Sequence, residues 1–292
     1  MRVFIGLSSY NRADVLKLCL SSFSNSKLVK GFIVVADSTS KDEVQHYIEL
    51  IKEVRDLGFE VLHDISVSRR GSVRARNRVL EMAKEHLCDD DVLVLHDDDY
   101  LYPGDQTLVW ALRLLQDTSI GIVGGRVVNL RRRKVDPDFA LNMPRLADAL
   151  TRLTGFIVLD TKHGPREVEY ATPLMSMKVR ILSKGIKYDE NYEGTGYREE
   201  SDLQKQVRKL GLRIVFEPRF YVYHLAVERG GNRYSDLEDR MYWKWKNHTY
   251  FMNKWRYSVR EKILSYAILT VYAMLNGLPA IRGMVKAVRS SK

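Results

Sequence analysis

Short apolar, β-branched runs alternate along most of the chain with longer stretches whose apolar positions recur at helical spacing. "RVFIGLSS" reads as a strand, after which Val15, Leu16, Cys19, Leu20 and Phe23 share one helix face. "GFIVVADST" predicts a second strand, "KDEVQHYIELIKEVRDLG" a helix and "FEVLHDI" a third strand. A helix opens near Gly71-Ser72 with Val79, Leu80, Ala83 and Leu87 on one face, followed by the strand "DVLVLHDDD". A helix over Thr107 to Gln116 and the strand "IGIVGGRVVNL" come next. Between Arg131 and Glu169 the pattern weakens, and the segment reads as a loop excursion on the acceptor-facing side. A helix over "SDLQKQVRKLG" and a strand over "LRIVFEPRFYVYHL" complete the alternation. This order predicts an α/β fold, an open, mostly parallel sheet covered by helices. Residues 1–235 form that unit, and 236–292 form a helical C-terminal extension.

In such sheets ligands bind outside the carboxyl ends of the strands. The polar residues there are Ser8, Ser9, Tyr10, Asn11 and Arg12, then Asp37, then Asp97, Asp98 and Asp99. No G-x-G-x-x-G or G-x-x-x-x-G-K-[ST] stands at these ends, which argues against a dinucleotide or P-loop site. Three adjacent carboxylates repel one another most where a strand's low dielectric begins, so a cation is expected beside them. Hard oxygen ligands suit Mg²⁺ or Mn²⁺, ions that keep waters and share their shell with substrate phosphates. His224, at the end of the last strand, is a candidate further ligand. A solvated turn cluster is the blander reading, and the position at the end of an apolar strand speaks against it.

Asp37 carries an acceptor-only carboxylate, able to read a base that presents a ring N–H. In "RRGSVRARN", Gly71-Ser72 opens a helix carrying Arg74 and Arg76, a combination that favours a diphosphate. Ser201 with Gln204 matches a capping box, which would make Ser201 the N-cap and leave Glu199 and Glu200 just outside the helix, behind Gly194 and Gly196. The two glutamates either complement the helix dipole or supply a general base, whose pKa burial or the neighbouring acid must raise.

The net charge of +10 is uneven: ten Lys or Arg and a single acid, Glu261, lie between Met241 and Lys292. Trp243, Trp245 and Trp255 are interleaved there with Lys244, Lys246, Lys254 and Arg256. The uncharged run Ile263 to Ile281 is nineteen residues long, but Asn276, Gly277 and Pro279 interrupt it. Interfacial attachment to anionic lipid fits this region better than a spanning helix; packing on the catalytic unit or in a homo-oligomer is the other arrangement. Cys19 and Cys88 sit in apolar helical contexts and read as packed thiols in a reducing compartment. The N-terminal apolar run is too short for a secretory signal, so a cytoplasmic protein is expected, peripheral on the inner membrane face.

Taken in order, these segments resemble glycosyltransferase family 2. "SSYNR" resembles its opening loop, "VVADSTS" its V-V-D-D-x-S segment, "RRGSVRARN" its G-x-x-x-A-R-N stretch, "LHDDDYLYPG" its D-x-D strand end and "YREESDLQKQVRKLG" its E-D helix. The resemblance implies a GT-A fold, a Rossmann-like twisted sheet with helices on both faces. It implies inverting transfer of a sugar from a nucleoside diphosphate sugar to a hydroxyl of a lipid-linked or surface-glycan acceptor, with a divalent cation. Carried over, Ser8, Tyr10, Asn11, Arg12, Asp37, Gly71, Arg76 and Asp97 would bind the nucleotide. Asp97, Asp98, Asp99 and His224 would hold the metal, and Glu200, or Glu199, would be the base. His96 stands where the family often has Asp, which leaves the D-x-D register open by one residue. A polyprenyl-phosphate sugar synthase shares these features, as would a nucleotide-sugar sensor without turnover. A nucleic-acid binder would suit the basic tail and leave the acidic strand end unexplained, so nucleic acid is not expected as a partner.

Overall fold

The computed structural model describes residues 1–130, 144–155, 164–225, 227, 230 and 236–290. Strands β1 (Val3–Tyr10), β2 (Val29–Ser38), β3 (Glu60–Val67) and β4 (Val92–Asp97) alternate with helices α1 (Ala13–Ser21), α2 (Lys41–Asp56) and α3 (Ser72–His86). Then come β5 (Tyr100–Leu101), α4 (Asp105–Leu114), β6 (Ile120–Asn129), α5 (Pro144–Thr154), β7 (Arg166–Glu167) and β8 (Met175–Lys178). Helix α6 (Glu199–Lys209), β9 (Arg213–His224) and helices α7 (Leu237–Lys254), α8 (Val259–Leu275) and α9 (Leu278–Ser290) complete the chain.

One sheet runs β3-β2-β1-β4-β8-β6-β9-β5, with β7 on β9. Its β1, β2, β3 and β4 pair in parallel, as do β6 and β9, while β8 lies antiparallel between β4 and β6. Successive strand side chains alternate between faces. Ile5, Leu7 and Val94 therefore meet Leu16, Leu20, Tyr47 and Leu108 from α1, α2 and α4. Phe4, Leu93 and Leu95 meet Val79 and Leu80 of α3, Leu203 of α6 and Phe251 of α7 on the other. These two cores clamp the sheet and fix its carboxyl edge. A third, smaller core joins α7 to α8 and α9 through Met241, Trp245, Leu269, Ala273 and Ala280.

The structure departs from the sequence reading in four places. The expected loop excursion contains α5, whose apolar face was too short to register. Helix α6 starts at Glu199 and not after Ser201: Arg198 is its N-cap, at φ +78°, with no side-chain cap, so both glutamates lie in the first turn and Ser201 is buried inside the helix. Cys19 is buried, but Cys88 lies exposed just beyond the end of α3. The tryptophans pack inward: Trp245 stacks on Tyr266, Trp255 donates to Asp202 at 2.7 Å, and the Trp243 ring fills the space a Cβ on Gly194 would take. The uncharged C-terminal run is broken at Asn276-Gly277 into α8 and α9, and no described helix is long and apolar enough to cross a membrane.

Candidate active site

At the carboxyl edge a cavity of about 330 Å³ is lined by Ser8, Tyr10, Arg12, Asp37, Gly71, Arg76, the three aspartates and His224. Ten of the residues expected from sequence thus converge on one space. Asn11 serves beside it: its Oδ1 accepts from Ser38 Oγ at 2.7 Å and from the Thr39 amide at 3.1 Å, tying the β1 loop to β2. Tyr47 of α2 holds the same loop, bonding Ser9 at 2.8 Å and accepting from the Arg12 amide at 3.0 Å; burial pushes its phenol up to about 12.

The repulsion within the aspartate trio is met by the protein's own arginines. Arg12 reaches across from β1 and grips both oxygens of Asp98, with Nε at 2.7 Å, and approaches Asp99 at 3.5 Å. Asp98 is wholly buried, and burial pushes its carboxyl up to about 6 against the pull of Arg12. Asp97 is the open member, accepting from Arg76 Nη2 at 3.0 Å. Asp99 faces His224 at 3.3 Å, because β5 pairs Tyr100 with His224.

Among the described residues no group of three or more His, Cys, Asp or Glu forms a ready-made metal cage. The donor set at the open end nonetheless fits a cation. His224 Nδ1 donates to Asn129 Oδ1 at 2.8 Å, which orients the ring so that Nε2 stands 3.3 Å from an Asp99 oxygen. A ring nitrogen and a carboxylate oxygen, both of them possible metal donors, face each other there, and Asp97 stands at the same cavity wall. Mg²⁺ or Mn²⁺ suits so sparse a site, since substrate phosphate and water complete the shell.

Asp37 lines the cavity from β2, already bound by Arg70 through its amide and Nε, each at 2.9 Å, and by Ser66 at 3.1 Å. Arg70 was not singled out from sequence; the Arg-Arg pair before Gly71 was the available signal. Gly71, at φ +87°, leaves the N-terminus of α3 bare, with open space where a Cβ would stand. A diphosphate could lie against those amides.

Glu199 and Glu200 do not line the cavity themselves; Arg76 links them to it. Its Nη1 donates to Glu199 at 2.5 Å and to Glu200 at 2.6 Å, so one guanidinium holds three carboxylates from β4 and α6. Glu199 is buried, and its second oxygen has no hydrogen-bond partner among the described residues. Burial pushes its carboxyl well above the ordinary range, Glu200 and Asp97 add to this, and Arg76 opposes it. The folded chain therefore keeps a proton on Glu199 that the unfolded chain releases, so rising pH above the ordinary carboxylate range favours unfolding. Glu199→Gln, uncharged and of similar size, is expected to raise Tm over wild type by about 3 °C at pH 8 and to match it at pH 4. Calorimetry showing the same Tm difference at both pH values would reject this.

The family model described as Glycosyltransferase like family 2 matches residues 3–238. The chain belongs to that family. No curated protein matches it in sequence. Among solved structures, the mannosyltransferase PcManGT from Pyrobaculum calidifontis, in complex with GDP-Man and Mn²⁺, is 17% identical, with 99% of this chain and 74% of that one covered and a TM-score of 0.59. S. aureus TarS 1-349 is 14% identical, with 92% and 69% covered and a TM-score of 0.56. GalNAc-T7 with UDP, GalNAc and Mn²⁺ is 14% identical, with 86% and 50% covered and a TM-score of 0.56. At these identities the likeness is one of fold, and it is the GT-A fold. This family 2 chain is a glycosyltransferase, and its acidic strand end lies at the carboxyl edge of the sheet.

Proposed function

We propose that the protein is an inverting, metal-assisted glycosyltransferase that moves a sugar from a nucleoside diphosphate sugar to a hydroxyl of a lipid-linked or surface-glycan acceptor. The observation that carries this reading is the Arg76 hub, which fastens the open strand-end carboxylate, Asp97, to the glutamate pair on α6. Donor and acceptor chemistry are thereby held by one side chain. Glu199, kept protonated by burial, braces the hub, and Glu200, half-buried and more open, takes the acceptor's proton as its oxygen attacks the anomeric carbon. Attack from the face opposite the diphosphate inverts the centre. Arg76 and the amides at Gly71-Ser72 hold the departing diphosphate, while Asp37 reads the base. Asp97, Asp99 and His224 would hold a divalent ion, whose charge, when present, offsets that of the diphosphate. Asp98, wholly engaged by Arg12, supports them from below. The Mn²⁺ in the PcManGT and GalNAc-T7 structures supports this assignment.

Calorimetry with UDP and GDP, with Mn²⁺ or with chelator, tests the metal. Nucleotide affinity is expected to fall about tenfold or more on chelation and to become metal-insensitive in Asp99→Asn. Equal affinity in all four conditions would reject the role. A screen of UDP-, GDP- and dTDP-sugars then names the donor.

A lipid-linked acceptor is favoured by the outer surface of α8 and α9. Ile263 (65% exposed), Leu275 (82%) and Leu278 (68%) stand there uncovered, with Arg282 and Arg289 alongside. Such a surface suits the interface of an anionic bilayer, on its cytoplasmic face, and like charges discourage pairing with a second copy. Sedimentation with phosphatidylcholine vesicles containing phosphatidylglycerol should retain wild type and lose Leu275→Asp/Leu278→Asp. Equal recovery of both proteins would remove the membrane from the reading.

A further inference from the structure

Arg198, immediately before the glutamate pair, is 2% exposed, and among the described residues no carboxylate forms an ion pair with it. An unpaired buried cation is costly unless every donor finds an acceptor. Here the acceptors come from two helices. Nη1 donates to Thr151 O at 3.1 Å and Nη2 to Arg152 O at 2.9 Å, carbonyls at the C-terminus of α5, where the helix dipole is negative. Nε donates to His248 Nδ1 of α7 at 3.3 Å, and the guanidinium lies 4.5 Å from the Phe251 ring centroid. Gly155, at φ +75°, ends α5 without a Cβ, which would stand 2.7 Å from Arg198 Nε.

The remaining bonds fix the direction of every proton. Ser265 of α8 donates to Leu153 O at 2.6 Å, so its oxygen is left to accept from His248 Nε2, also at 2.6 Å. His248 Nδ1 is then a bare lone pair aimed at Arg198. Burial, with Arg198 and Lys244 nearby, holds the imidazole well below its ordinary pKa and keeps it neutral.

We propose that Arg198 and His248 are positioning residues of the transferase: this one-way chain of hydrogen bonds, running from Arg198 through His248 of α7 and Ser265 of α8 to the end of α5, sets where Glu199 and Glu200 stand. The inference rests on the glycosyltransferase reading for its kinetic consequence only. Neither side chain lines the cavity or meets the hub; each acts through the backbone that enters α6.

The test compares the full-length protein with Arg198→Lys, His248→Leu and His248→Asn. Lysine keeps the charge but cannot fork to three acceptors, whereas asparagine Oδ1 replaces Nδ1 as the acceptor for Arg198. Arg198→Lys and His248→Leu are expected to lower kcat by about 10- to 100-fold with donor KM unchanged, and His248→Asn to restore most of it. Hydrogen exchange at residues 199–202 should quicken about tenfold in His248→Leu, with β1 to β4 unaltered, and recover in His248→Asn. If wild type transfers no sugar, the proposed function fails while the exchange arm still decides the positioning role. If Arg198→Lys does not fold, the two His248 variants decide it. Unchanged turnover in both disruptive variants, a His248→Asn protein no better than His248→Leu, or exchange rising throughout the sheet would overturn the proposal.

Discussion

Glu200→Gln is expected to lower kcat by about 10³-fold, within the range general bases contribute, while nucleotide binding stays at the wild-type level. The amide still fits beside Arg76 but cannot accept the acceptor's proton. Nucleotide contacts are spared because the cavity is lined by β1, β2, β4, α3 and His224 and not by Glu200. The contrast with Glu199→Gln separates the two neighbours: that change should leave much of kcat in place, since Glu199 is already protonated. A ratio reversed between the variants would transfer the base role to Glu199. Full turnover in Glu200→Gln would instead favour a phosphate acceptor, which arrives ionised and needs no base.

Arg76→Met is expected to destabilise the fold by about 3–5 kcal/mol, the magnitude seen when one partner of a buried ionic cluster is removed. The Arg76 side chain is 17% exposed and serves three carboxylates, one of them almost wholly enclosed. Without it, Asp97 and Glu200 repel across a low-dielectric space with no counter-charge at hand, and Glu199 loses its hydrogen-bond donor. Urea unfolding measures the loss, and acid, by neutralising the carboxylates, should narrow the gap to wild type. A variant less than about 1 kcal/mol weaker at neutral pH would show the hub is solvated.

The parallel half of the sheet was legible because its strands are apolar runs and its helices keep one apolar face, so periodicity alone placed β1 to β4 and their polar ends. The cavity followed from that, since strand ends converge by topology. What escaped reading depends on tertiary partners. Strand β8 is four residues long, and the alternation of Met-Ser-Met-Lys is too brief to mark a strand. The start of α6 was misplaced because a local Ser-Gln signal competes with a backbone turn whose N-cap, Arg198, is anchored to distant carbonyls. Likewise, which cation met the aspartates could not be read locally: Arg12 and Asp98 lie 86 residues apart. The tryptophans looked like headgroup anchors because composition records which side chains are aromatic and not what they face.

The position of β8 has a consequence for synthesis. Met175–Lys178 is the stave between β4 and β6, both finished long before it emerges. Until then a nascent chain holds two bare, apolar strand borders, and such borders template pairing with other chains. Stalling or proteolysis just ahead of Met175 should accordingly yield aggregates, and a chaperone's protection stays necessary until β9 covers the other border of β6.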